Sequence, residues 1–147
     1  MIKLLGSGFL ALAVLATFHL PSSVLGNWRV GMPYDVGQPI GLNAKQEEQV
    51  TRLNIKFAPD SIEVCGKKVL INSMDVDRLT GDGFLTKYNF TANLIGLKGA
   101  DVVDIYINKL HSTKACGEFA DPGSHLLISD RHVVMEVGND YFPLKRQ

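Results

Sequence analysis

The chain has two cysteines, one tryptophan and no surplus of either charge: 15 Lys and Arg stand against 15 Asp and Glu in 147 residues. Without a basic cluster or an alternation of basic and aromatic residues, the sequence offers no footprint for nucleic acid. Outside the first 26 residues, no apolar run approaches the ~20 residues that cross a bilayer as a helix. No Gly-x-Ser-x-Gly elbow, phosphate loop or dinucleotide fingerprint occurs, which removes the commonest signatures of serine hydrolases, nucleotidases and dehydrogenases. Internal repeats and low-complexity tracts are lacking too, and nothing in the sequence calls for a cofactor.

What is present begins with an address. Lys3 is the one charge in residues 1–26, a largely apolar run follows from Leu4 to Phe18, and His19-Leu20-Pro21-Ser22-Ser23 is more polar and breaks a helix. Val24 and Gly26 then supply small residues at −3 and −1 of a cut. That layout is that of a secretory signal peptide. It predicts residues 1–26 as a cleaved signal, residues 27–43 as a Gly- and Pro-containing N-terminal segment, and residues 44–147 as a single globular domain. The expected location is the periplasm or the extracellular medium, with no membrane span left after cleavage. The remaining chain, about 120 residues, is of ordinary single-domain size.

An exported chain with an even cysteine count is expected to be oxidised. Cys65 and Cys116 allow one intramolecular pairing. A cysteine so bonded is unavailable as a nucleophile or metal ligand.

Periodicity predicts a mainly β fold. Leu53, Ile55 and Phe57 alternate with Arg52, Asn54 and Lys56, as in a half-buried strand. Ile62 and Val64 share a face after the turn residues 58–61, and Val69-Leu70-Ile71 follows Cys65-Gly66-Lys67-Lys68. Val103, Ile105 and Ile107 oppose Asp104, Tyr106 and Asn108. "HLLIS", "HVVMEV" and "YFPLKR", separated by Asp-Arg and Gly-Asn-Asp, read as a three-strand antiparallel meander. Leu126, Ile128, Phe142 and Leu144 are assigned to its inner face. Pro143 lacks an amide hydrogen and places the final strand at an edge or a rim. Two short helices are expected, a surface one after Asn43 and one over Gly81–Tyr88 capped by Thr80. A small antiparallel barrel or strongly curved sheet suits this pattern, because closure removes exposed edges.

Three chemical patterns stand out. Asp75 and Asp77 are spaced like the first two ligands of a calcium loop, but Leu79, Thr80 and Thr86 stand where a ligand, a glycine and a glutamate are needed, leaving solvated turn acids. His111, His125 and His132 with Cys116 match no usual zinc spacing, although His125 and His132 flank one hairpin. No metal is expected. Ser124 beside His125 invites a hydrolase, yet neighbours on a strand face opposite ways, and Asp121-Pro122-Gly123-Ser124 has turn chemistry instead.

With Trp28 near its start, a "FAPDSIEVCGKKV" strand pair and a closing "LLISDRHVVMEVGNDYFPLKR" meander, the chain resembles small exported bacterial proteins of families of unknown function, over about residues 28–146. More loosely it is similar to the proteinaceous lysozyme inhibitors and to lipocalin-like modules. The resemblance implies a small disulfide-bearing β-domain. Two functions follow as expectations: a non-enzymatic binding protein, inhibitor- or immunity-like, with a protein partner in the cell envelope, or a carrier of a small apolar ligand. A small hydrolase is third. An inhibitor needs protruding anchors, and the candidates are Trp28, Tyr34 and Asp35 in one loop with Phe119, Asp121, Ser124 and His125 in another.

Overall fold

The computed structural model describes residues 19–38, 40–110, 116 and 122–147. Eight strands form a closed antiparallel barrel in which every strand pairs with its neighbours in sequence. They are β1 (Gly26–Val30), β2 (Asn54–Ala58), β3 (Ser61–Val64), β4 (Lys67–Thr80), β5 (Asp101–Lys109), β6 (His125–Ser129), β7 (His132–Val137) and β8 (Asp140–Arg146). β1 pairs with β8 through Trp28 opposite Arg146 and Val30 opposite Leu144, and this closes the barrel. The helix α1 (Ala44–Thr51) lies between β1 and β2; α2 (Gly81–Tyr88) and a 3₁₀ turn (Ala92–Ile95) lie between β4 and β5.

The hairpin turns explain the register. Cys65 and Gly66 both have positive φ, as do Gly138 and Asn139, which is the backbone that two-residue hairpin loops of the I′ type require. Both helices start as the sequence predicts. The Asn43 side chain accepts from the Gln46 amide while Gln46 reaches back, a reciprocal cap. Thr80 caps α2 at the Gly83 amide, and Asn89 ends it in the left-handed region.

Inward-facing side chains from all eight strands merge into one core. Ile55, Phe57, Ile62, Val64, Ile105, Ile107, Val133 and Met135 belong to it, with Leu126, Ile128, Phe142 and Leu144 as the alternation predicts. Both ends are stoppered by chain. Where β1 begins, Leu20 and Val24 enter the core. From the opposite end, where β6 begins, Gly123 dips inward. A Cβ there would lie 3.3 Å from Ile62 and 3.6 Å from Phe57, and its φ of +87° independently favours glycine.

A second core lies outside the barrel, where the strand alternation alone does not predict one. Leu127, Val134, Tyr141 and Val102 face outward from β5 to β8, and Phe84, Phe90, Ile95 and Leu97 cover them. α2 is therefore packed on the barrel through Phe84 and is more than a surface ornament, while α1 buries only Val50.

Two expectations need correction and a third is narrowed. β4 runs for 14 residues and takes Asp75 and Asp77 with it, paired opposite Tyr106 and Asp104, so the acids sit on a strand and not in a turn. An Asp-x-Asp spacing is also the period of one strand face, which is why the two patterns look alike. The segment 27–43 is not an appendage to a domain starting at 44, because β1 supplies a barrel strand. Finally, of the edge and the rim expected for β8, the closed barrel excludes the edge and leaves the rim. Pro143 lies one residue beyond the β1 pairing, where its carbonyl still accepts from Gly31 at 2.8 Å, so the missing donor falls at the rim.

Candidate functional site

Outside the barrel, near the end where β6 begins, three strands and α2 bring polar side chains together over the second core. Asp104 is fully buried and projects outward from β5. One of its oxygens accepts from Lys87 Nζ at 2.6 Å and from the Tyr88 hydroxyl at 2.5 Å. The other faces His125 Nε2 at 2.8 Å. His125 Nδ1 faces Glu136 at 3.1 Å, and the second oxygen of Glu136 accepts from the Asn139 amide at 2.6 Å. The Tyr106 ring stacks on His125 with centroids 3.9 Å apart and planes 13° from parallel. Lys87 Nζ lies 5.2 Å from the same tyrosine ring, within cation–π range.

Electrostatics follow from this geometry. Burial alone would push His125 toward its neutral form, but the hydrogen bonds and charges of Asp104 and Glu136 outweigh it and raise its pKa. With a carboxylate at each ring nitrogen, the arrangement favours the doubly protonated ring, which donates from both. Burial opposes ionisation of Asp104 as well, yet donors from His125, Lys87 and Tyr88 hold its carboxyl below the usual range. Lys87 is raised: burial, the largest single influence, lowers it, but its hydrogen bond and attraction to Asp104, with the charges of Tyr106 and Asp77, together outweigh that. Tyr88 is pushed far up by burial and by the carboxylate it donates to, and Tyr141 rises to about 12 through burial and the charge of Glu136.

The cluster is a charge-paired clamp. His125 has no nitrogen free to take a proton from a substrate, and its partners are Asp104 and Glu136, not Ser124. The one group of the cluster that meets solvent with a flat apolar face is Tyr106, which is 39% exposed.

The residues singled out in the sequence separate. Trp28 is buried in β1, its indole donating to the Val24 carbonyl at 2.6 Å, so it is a core residue and no binding-loop anchor. Tyr34 bridges to Tyr141 as an isolated strand pair, and the Asp35 carboxylate accepts from the Gly37 amide. Both border an open cleft of about 560 Å³ that Leu42, Asn43, Glu47 and Asp140 also line. Ser124 belongs to the turn entering the barrel and its carbonyl accepts from Ile107. His125 is buried in the clamp and does not project from a loop. Phe119 and Asp121 lie outside the described residues, as does His111. Cys116 is bonded to Cys65 with Cα atoms 5.4 Å apart, which removes it from any ligand set. His132 pairs with Ser129, four residues along β6 from His125, about 13 Å at strand spacing, so the two histidines do not approach each other.

Sequence reasoning missed Lys87, Tyr88, Asp104, Tyr106 and Glu136 as a group. A signal was present in "HLLIS". Its unbroken apolar run means a strand buried on both faces, and therefore a cover over the outer side, where any charge must find partners.

No family model, curated protein or solved structure matches the chain.

Proposed function

We propose that this chain is an exported, non-enzymatic binding protein that engages a protein partner in the cell envelope through the outer face of β4 and β5. The observation that carries this is Tyr106. Its ring is open to solvent yet held flat against His125, which two carboxylates fix in turn. An aromatic side chain ordered before contact loses little entropy on binding, the property of anchors that dominate interfaces. Beside it on the same face, Asn108 Nδ2 donates to Ser73 at 3.0 Å and reaches Asp75 at 3.3 Å, while Asp75 and Asp77 are exposed. These carboxylates suit a partner that presents basic side chains around an apolar pocket.

Export is supported by the disulfide and by the signal-like start. Among the described residues, no helix is long and apolar enough to cross a membrane. The apolar carrier has less support, since the inward side chains of this eight-stranded barrel pack against one another in one core. A hydrolase has less still, since His125 is committed at both nitrogens.

The test is capture from envelope extract with parallel baits. The wild-type protein and Lys45→Ala should retain the same stoichiometric partner, and Tyr106→Ala should lose it with affinity lower by about 30-fold or more, equivalent to ~2 kcal/mol. Equal capture by Tyr106→Ala, with its fold intact by circular dichroism, would remove this face from consideration.

A further inference from the structure

The stretch just before β1 is built into the barrel more firmly than a discarded leader would be. Leu20 and Val24 are buried, at 4% and 0% exposure. The Leu20 amide donates to the Pro59 carbonyl at 3.3 Å, in the β2–β3 turn. The Val24 carbonyl accepts from the Trp28 indole at 2.6 Å in a buried bond. Arg146, near the end of β8, donates to the Leu25 carbonyl at 2.8 Å and to the Ser23 carbonyl at 2.7 Å, with its guanidinium 4.3 Å over the Trp28 ring.

A chain starting at Asn27 would lack all of this. The barrel end would open, the indole N–H would lose its partner in an apolar site, and Arg146 would lose two acceptors. An unsatisfied buried donor costs more than the bond itself contributes.

We propose that the export signal is cut on the N-terminal side of Leu20, after Ala16, and that Leu20 to Leu25 remain with the barrel as its stopper. The sequence carries the alternative cut: Val14 and Ala16 provide −3 and −1, with alanine, the favoured small residue, next to the bond. The apolar run from Leu4 to Leu15, about a dozen residues, falls within the length of a signal core. Pro21-Ser22-Ser23 is then the first turn of the mature protein, with the Val24 amide donating to the Pro21 carbonyl at 2.9 Å. A signal peptidase adds water across the Ala16–Thr17 peptide bond, leaving a carboxylate on the released peptide and a free α-amine on Thr17. The assignment rests on the export proposed above.

The experiment is intact-mass measurement with N-terminal sequencing of the full chain recovered from the envelope of an exporting host. A start at Thr17 is the expected result, and a start at residues 18–20 keeps the stopper but overturns the cut after Ala16. A start at Asn27 overturns the cut while leaving export standing, and an unprocessed chain overturns export as well. Leu20→Ala supplies a second readout on the same exported protein. If residue 20 is retained, the mature mass drops by the substitution and the denaturation midpoint falls; if it is removed, both are unchanged from wild type, and the stopper is refuted.

Discussion

His125 and Asp104 tie stability to pH from opposite sides. Its folded-state pKa lies above the ordinary 6.5, so its contribution is complete below that value and is lost as pH rises through the folded-state pKa. Asp104 is held below 3.8, so its contribution is complete above that value and is lost as pH falls through the lowered pKa. The clamp is whole between about pH 4 and 6.5. Denaturant midpoints should therefore fall as pH rises above about 6.5 in the wild type and fall much less in His125→Gln. Parallel pH profiles for the two proteins would show that the imidazolium does not contribute. In the barrel interior, Phe142 is fully buried while Lys145 is exposed. Phe142→Ala should cost about 3–5 kcal/mol from lost burial and the cavity left behind. Lys145→Ala should shift the urea midpoint hardly at all, and similar losses from both would contradict the facing of β8.

At the scale of elements, α2 is a helix of modest intrinsic quality held by what it covers. Gly81 opens it without a positive φ, and a Cβ at that position would meet no atom within 4 Å. Gly81→Ala should thus raise stability by about 0.5 kcal/mol by restricting the unfolded chain. Phe84→Ala, which strips the second core of its central ring, should cost about 3–5 kcal/mol. Thermal melts of the two variants should move in opposite directions. The inner faces of β2, β3 and β5 were legible because alternation marks them, as Val103, Ile105 and Ile107 do, whereas β6 to β8 were legible as short apolar runs between turns, their outer faces being buried as well. The helix Gly81–Tyr88 was legible from Thr80, whose cap outweighs two glycines. The second half of β4 was not, because Asp75 and Asp77 face water there and Val76 is exposed, so no burial pattern marks a strand. The clamp was hidden for a different reason. Asp104 and Glu136 occupy positions that a half-exposed strand would give to solvated acids, and only the distant placement of Lys87 and Tyr88 makes them partners.

For the whole molecule, the disulfide crosses from the β3–β4 turn to the connection before β6 and closes a separation of 51 residues. Removing it with paired Cys65→Ser and Cys116→Ser substitutions should cost about 3–4 kcal/mol, chiefly by freeing the unfolded chain. Thiol titration of the native protein should find no free thiol, and two titratable thiols would overturn the bond. The seam between β1 and β8 has a kinetic meaning. Hairpins from β2 to β7 can form from near neighbours, but β1 cannot gain its second partner until β8 exists, and this pairing spans almost the whole described chain. Loop closure over such a distance makes for slow folding. During synthesis or translocation from the N-terminus, β1 waits with one row of amides and carbonyls unpaired, a template for the edges of other chains. The chain is thus most prone to aggregate in the interval before β8 emerges, and a chaperone that shields β1 would raise yield without touching the stability of the finished barrel.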